Sequence, residues 1–303
     1  LTNTRWTQEE VHLLNMLYQR GLTYEQIANE LRSRGINRTV KAVIKKVKRE
    51  RKKDRSSWYV NIIPSPTERF DKPLEVEEDN IVLFFDMHAP FHDARWINLV
   101  IELALKYDCS LAGIGGDLVD FTALSKYGRQ ERVELEDEFR SAEQIISALA
   151  DTFDRVVYCG GNHEMRLPRL TGNALNLLDT MKFFVRRENV LLTDYQWFII
   201  RSAGEKYYVE HPKNFSSHAT LVPKALCSKF LCHVIAGHGH RWGITRDASD
   251  NFWAIDAGMC ADIKRLAYVS KVHSRLPKMS QGAVIIKEGI PILLSPNNID
   301  FYR

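Results

Sequence analysis

Val156-Val157-Tyr158-Cys159-Gly160-Gly161-Asn162-His163-Glu164 is the stretch whose reading decides this 303-residue chain. A β-branched, apolar run breaks into two glycines and then delivers an amide, an imidazole and a carboxylate. That order describes a buried strand emptying polar residues into a site at its end. Open α/β sheets keep their ligands at such carboxyl ends. A surface turn, with Asn and Gly serving only the backbone geometry, is the plainer alternative. The other strand ends decide between the two.

Working outward, Ile81-Val82-Leu83-Phe84-Phe85 is fully apolar and runs into Asp86-Met87-His88. A carboxylate and an imidazole two residues apart share one face of an extended chain, a spacing that can chelate one metal ion. A helix over 96–107 leads to Leu111-Ala112-Gly113-Ile114, which ends in Gly115-Gly116-Asp117-Leu118-Val119-Asp120. A second helix over 134–150 returns the chain to the opening stretch. This β-α-β-α-β rhythm predicts an α/β domain with a polar deposit after every strand. The interval 167–188 is helix-rich, either a cap over the site or peripheral helices. Tyr207-Tyr208-Val209 then ends at His211, and Cys232-His233-Val234-Ile235-Ala236 ends in Gly237-His238-Gly239-His240. Each polar end alone is more simply a satisfied loop group. Five consecutive strand ends of this kind in one chain are not.

Asp-x-His, Gly-Asp-x-x-Asp, Gly-Asn-His-Glu, a lone His and Gly-His-x-His, in that order from Asp86 to His240, resemble the calcineurin-like metallophosphoesterase superfamily. The resemblance implies two mixed β-sheets flanked by helices, a four-layer αββα sandwich. It also implies that Asp86, His88 and His240 hold one metal and Asn162, His211 and His238 the other, with Asp117 bridging and catalytic. His163 corresponds to the superfamily's catalytic, non-ligand histidine beside the scissile phosphate. His211 is followed by Pro212 where the superfamily often has Gly, which makes His218 the alternative ligand. Ile255-Asp256-Ala257-Gly258 stands where related proteins often show an Asn-Pro-Gly turn. Carboxylate, imidazole and amide donors suit Mn²⁺ first, with Fe²⁺, Zn²⁺ or Mg²⁺ as alternatives. Two such ions about 3.5–4 Å apart can generate a hydroxide at neutral pH and clamp both oxygens of an in-line displacement. Glu164 is expected to orient a histidine from outside the ligand set. His92, Arg129 and Arg166 lie just beyond the motifs and are candidate phosphate contacts.

Charge separates the ends of the chain. Residues 1–55 hold 14 Lys+Arg against 6 Asp+Glu, and the remainder 28 against 32, so a formal net of +4 hides a strongly basic N-terminus. Within it, 38–55 carries 10 basic and 2 acidic residues. Thr7 with Glu10 forms a capping-box start, Thr23 begins a second helix and Val40, Val43, Ile44 and Val47 give a third an apolar face, its lysines facing out. Trp6-Thr7-x-Glu9-Glu10, Ile27-Ala28 and Arg38-Thr39-x-x-Ala42-Val43 resemble a Myb/SANT-like helix-turn-helix, with one Trp in place of the usual three. A solvated helical face running into a linker is the plainer reading of the basic run. Same-sign charge in a block repels itself unless a polyanion answers it, and DNA phosphate is the commonest one. Arg38, Lys41, Lys45, Lys46, Lys48 and Arg49 are therefore the candidate nucleic-acid contacts. The Pro-spaced segment 56–79 reads as a linker whose early part, Trp58-Tyr59-Val60, docks on a domain, giving a basic domain at 1–55 and a catalytic domain at 80–303.

No apolar run is long enough to cross a bilayer, and no signal peptide pattern opens the chain, so a cytoplasmic protein without a membrane partner is expected. The chain opens at Leu1 rather than Met, which leaves room for an upstream piece. Five cysteines without a Cys-x-x-Cys pair are expected as free buried thiols. Coexistence of the metal motifs with the basic module leads to a dinuclear metal-dependent phosphoesterase acting on DNA, as a nuclease or DNA-end phosphatase. The alternatives are a phosphomonoesterase on protein or nucleotide that uses DNA for targeting, and a DNA-binding regulator with a structural metal site. The pairing of the two modules is similar to bacteriophage-encoded members of the superfamily, which implies a host cytoplasm.

Overall fold

The computed structural model describes residues 5–54, 58, 73–125, 133–266 and 279–303. Arg129 and most of the expected linker lie outside them. The chain divides into two compact units, 1–71 and 72–303.

In the first unit α1 (Gln8–Gln19), α2 (Tyr24–Ser33) and α3 (Val40–Lys53) start at Thr7, Thr23 and Thr39, whose hydroxyls accept from backbone amides three residues on. Glu10 and Gln26 close reciprocal capping boxes on the first two. Leu14, Leu17, Ile27, Ala28, Leu31, Val43 and Val47 are buried together, and Trp58 completes this core with its ring 6.1 Å from that of Tyr18. Two basic residues are drawn into the unit. Arg38 pairs with Glu10 at 2.6 Å and lies 4.6 Å from the centroid of the Trp6 ring. Lys46 is buried and pairs with Glu50 at 2.9 Å, which corrects the expectation that every lysine of α3 faces outward. Both therefore hold the three-helix unit together. Lys41, Lys45, Lys48 and Arg49 stay exposed.

The second unit contains two mixed six-stranded sheets flanked by helices. One has the order β12-β11-β2-β3-β4-β5, with β2 (Asn80–Phe84), β3 (Leu111–Gly115), β4 (Arg155–Cys159) and β5 (Val190–Thr193) parallel. In that sheet β11 (Ala283–Lys287) runs antiparallel to β2 and to β12 (Ile290–Leu294). The other has the order β1-β6-β7-β8-β10-β9, from β1 (Glu75–Glu77), β6 (Trp197–Ser202), β7 (Glu205–Glu210), β8 (His233–Ala236), β9 (Trp242–Arg246) and β10 (Trp253–Ala257). The segment expected as linker thus ends in a strand, since Glu75–Glu77 pairs with β6. The five polar strand ends are not consecutive either, because β5 and β6 stand between β4 and β7.

Alternation assigns each sheet its two faces. Ile81, Leu83 and Val157 point to the second sheet and meet Phe198, Ile200, Tyr207, Val209 and Ile235. Their neighbours Val82, Phe84, Ala112, Ile114, Val156 and Tyr158 point the other way, onto α4 (Ala94–Lys106) and α5 (Leu135–Thr152). The second sheet covers its outer face with α8 (Leu221–Phe230), through Cys227 against Val234 and Ala254. The short helices α6 (Arg166–Leu170) and α7 (Leu177–Lys182) follow β4, and Leu177 and Met181 are buried in the first core. All five cysteines are free and buried. No helix among the described residues is long and apolar enough to cross a membrane.

The Arg38 contacts make a measurable statement about the N-terminal unit. Arg38→Ala is expected to cost that unit about 1–2 kcal/mol, while Lys41→Ala changes it by less than about 0.5 kcal/mol. Amide hydrogen exchange of α1 to α3 in the full chain checks this. Equal protection in the two variants would show that Arg38 does not brace the helices.

Candidate metal centre

Because β2, β3 and β4 run parallel, their carboxyl ends lie along one edge, and β7 and β8, parallel to each other, end in His211 and in 237–240. The loops that follow depart from extended backbone. Asp86, His88, Asp117, His238 and His240 all have φ between +49° and +69°. Asp86 and His88 therefore converge through left-handed turns rather than along one face of an extended chain. Side chains pay roughly 1–3 kcal/mol for such conformations, which cluster where the surroundings force a functional geometry. Here the forcing bonds are visible. The Asp86 and His88 amides donate to the Gly116 and Asp117 carbonyls at 3.1 and 2.9 Å, and the Gly237 amide donates to the Glu210 carbonyl at 3.1 Å.

The ligand-type side chains meet in three overlapping groups: Asp86, His88 and His240; His88, Asp117 and His163; Asp117, His211 and His238. Asp117 belongs to two of them. Its Oδ2 lies 4.0 Å from His88 Nε2 and 3.3 Å from His211 Nε2. His88 and His240 face each other Nε2 to Nε2 at 3.2 Å, with Asp86 Oδ1 3.1 Å from His240 Nε2. His211, the position with an alternative, is buried in the group at 3.3 Å from Asp86 Oδ1, whereas His218 is exposed and touches Ser217. Asn162 contributes a buried Oδ1 that has no hydrogen-bond partner.

The electrostatics favour a cation. Burial, then the neighbouring His163, holds the pKa of His88 down, and burial, then His211, holds that of His238 at about 4. Both rings are thus neutral near pH 7 and offer lone pairs. Burial opposes ionisation of Asp86 and Asp117, but surrounding imidazoles, His240 foremost for Asp86 and His163 for Asp117, keep both carboxyls below the usual range. Burial likewise opposes protonation of His211, yet Asp117 and Asp86 raise its pKa well above the usual value. That pull acts on any cation placed between the two carboxylates. Facing Nε2 atoms and two carboxylates fit divalent ions, which Asp86, His88 and His240 and, beside them, Asp117, His211 and His238 could hold, and Asn162 offers an unpartnered amide oxygen.

Two residues have roles that the motifs alone did not reveal. Asp120 accepts from His88 Nδ1 at 2.9 Å, fixing the tautomer that presents Nε2 inward. The second carboxylate of Gly-Asp-x-x-Asp was the available signal. Glu164 orients no histidine. Its two oxygens accept from the Gly161 amide at 2.7 Å, the Asp117 amide at 3.2 Å, the Val119 amide at 3.1 Å and the Tyr158 hydroxyl at 2.8 Å. It therefore clamps two loops by their backbones. Gly161 makes the close approach possible, since a Cβ there would overlap the Asp117 carboxylate.

His163 Nδ1 lies 2.6 Å from the Asp120 carbonyl, which can only accept, so Nδ1 carries a proton. Arg166 Nη2, which can only donate, lies 3.1 Å from His163 Nε2, and Nη1 donates to the Asp120 and Phe121 carbonyls at 2.7 and 3.0 Å. The pKa of His163 is opposed by burial but raised by Asp117 and Asp120. Arg166, a guanidinium without a lone pair, favours the ring with Nε2 as acceptor, and Asp117 and Asp120 favour its protonation, so opposing influences meet at Nε2. His92 is half-buried beside Ile97 and Gln144, lining a cavity between α4 and α5, and is not among the grouped residues.

No family model and no curated protein matches the chain. Solved structures resemble it. A phosphoesterase from E. coli, Yfce, is 12% identical, with 71% of this chain and 98% of that one covered at a TM-score of 0.37. Vacuolar Protein Sorting 29 from Cryptosporidium parvum is 10% identical, with 71% and 95% covered at 0.38. The Pseudomonas putida nuclease MPE is 15% identical, with 71% and 87% covered at 0.30.

Glu164→Gln replaces one of the two accepting oxygens with an NH₂ group that faces two of the four donors and is expected to lower stability by about 2–3 kcal/mol and Mn²⁺ affinity at least roughly tenfold. Urea denaturation and the rise of Tm on Mn²⁺ titration measure the two effects. Wild-type values in both would show that the loops are held by other means.

Proposed function

We propose that this chain is a dinuclear metal-dependent phosphoesterase that acts on DNA, as a nuclease or DNA-end phosphatase. The observation that carries the catalytic part is the convergence of five strand ends on three overlapping groups of ligand-type side chains, which His88 and Asp117 link to one another. When bound, two divalent ions supply Lewis-acid charge and activate water at neutral pH.

The chain's own residues do the rest. Asp117, buried and also accepting the His163 amide at 2.9 Å, fixes the ring of His163 beside the ligand groups. The Asp120 carbonyl keeps the Nδ1 proton of His163 in place, so Nε2 is the atom that exchanges protons with the substrate. Asp117 and Asp120 favour that protonation, and the proton taken up at Nε2 is available to the leaving oxygen. Arg166, fixed by two carbonyls, sits next to Nε2 and stabilises phosphoryl oxygens as charge develops on them. Support for DNA comes from the other unit. The exposed side of α3 carries Lys41, Lys45, Lys48 and Arg49, a phosphate-matching row whose companions Arg38 and Lys46 brace the fold instead.

One set of assays tests both parts: single-stranded DNA, duplex DNA, 3′- and 5′-phosphorylated ends and p-nitrophenyl phosphate, with Mn²⁺. Asp117→Asn is expected to reduce hydrolysis of every accepted substrate at least about a hundredfold. Activity persisting at the wild-type level would rule out the shared carboxylate as catalytic. Lys45→Glu with Lys48→Glu is expected to weaken DNA binding and flatten its salt dependence while p-nitrophenyl phosphate turnover stays unchanged. DNA binding unaffected by that pair would remove α3 from the proposal, and turnover of p-nitrophenyl phosphate with no DNA cleaved would favour DNA as an address only.

A further inference from the structure

One side of the metal centre is formed by chain that none of the motifs covers. Between β7 and α8 the loop 212–220 leaves His211 and turns along the start of β9. Its far end is pinned, because the Thr220 amide donates to Asp256 Oδ2 at 2.5 Å, and Asp256 pairs in register with Gly243. A Cβ added at Gly243 would lie 3.0 Å from that of Ala219, so loop and strand touch there. The loop is thus held at both ends beside His238 and His240.

Two side chains on this rim have unmet chemistry. Phe215 is 72% exposed, and its ring stands edge-on to that of His238, centroids 5.6 Å apart. Exposed aromatics are common on protein surfaces and need no explanation by themselves. Phe215 differs in touching a candidate metal ligand while leaving most of its ring to solvent. Arg241 follows His240 directly, and its Nε is buried without a hydrogen-bond partner. A buried guanidinium N–H left unpaired is costly, and an oxygen anion is its natural partner. The Gly258 amide donates to the Arg241 carbonyl at 2.6 Å, and Gly243, two residues on, pairs with Asp256 and touches Ala219, so Arg241 enters the strand against which the loop is pinned.

We propose that Phe215 and Arg241 form a nucleotide-recognition rim, with Phe215 stacking a base of the substrate and Arg241 binding the phosphate attached to that nucleotide. This rests on the phosphoesterase reading and names its substrate class as base-bearing rather than phosphoprotein. Stacking on an aromatic platform tolerates every base, so the rim selects a nucleotide without reading sequence. Arg241 recognises the anion and is indifferent to the base.

The test uses the full-length protein with Mn²⁺ and two oligonucleotides of equal length, one natural and one carrying tetrahydrofuran abasic sites, with p-nitrophenyl phosphate as the base-free control. Phe215→Ala is expected to raise KM for the natural oligonucleotide roughly tenfold or more relative to KM for the abasic one, with kcat little changed. Phe215→Tyr restores the wild-type KM. Arg241→Ala is expected to weaken both oligonucleotides to a similar extent, with Arg241→Lys rescuing only in part. Independently of turnover, a 2-aminopurine base in the oligonucleotide is expected to change fluorescence on mixing with metal-free protein, and Phe215→Ala to abolish the change. Equal loss on natural and abasic strands, or none on either, together with an unaltered 2-aminopurine signal, overturns the rim. Hydrolysis of p-nitrophenyl phosphate without either oligonucleotide does so as well. A wild-type protein that hydrolyses none of the three substrates instead overturns the phosphoesterase reading, and the rim falls with it.

Discussion

Two buried carboxylates that no Lys or Arg among the described residues pairs with determine what the head of this fold can be. Asp86 and Asp117 are fully enclosed, and the groups facing them are imidazoles and backbone amides. Burying an ion without a compensating charge is expensive, so the arrangement favours a positive charge between the ligand atoms, a protonated His211 or a bound cation. The opposed Nε2 atoms of His88 and His240 and the unpartnered Asn162 oxygen make the same demand. Divalent cations bound among these side chains would answer all of these groups at once.

Such a cluster must be paid for in backbone geometry, and the fold supplies it through bonds remote in sequence. The left-handed turns at Asp86, His88 and Asp117 are locked by amide-to-carbonyl bonds between the β2 and β3 loops. Glu164 then ties the β3 loop to the β4 loop with four accepted bonds, and Asp120 turns His88. Outside the ligands, these carboxylates tie three of the five strand ends, those of β2, β3 and β4, to one another.

The parts of this arrangement that are local were legible in the sequence. Apolar runs ending in Asp, Asn or His located β2, β3, β4, β7 and β8, and Thr7 with Glu10 located α1. What depends on distant partners was not. Glu75–Glu77 is acidic at both ends and becomes a strand only because β6 offers it an edge. The four bonds of Glu164 join residues up to 47 positions apart, a relation no spacing encodes. Lys46 looked like a solvent-facing charge because lysine usually is one. It lies three residues after Val43, on the buried side of α3, and Glu50 one turn later allows its burial. His211 illustrates the reverse: its Pro212 neighbour made it doubtful, and the parallel pairing of β7 with β8 places it in the group regardless.

The central claim is that Asp117 joins two metal sites rather than completing one. Electron paramagnetic resonance of the protein titrated with Mn²⁺, read together with the bound metal per chain, tests it most directly. The account predicts two Mn²⁺ per chain and a spin-coupled spectrum as the second ion binds. One bound ion, or two giving the spectrum of isolated Mn²⁺, would contradict it.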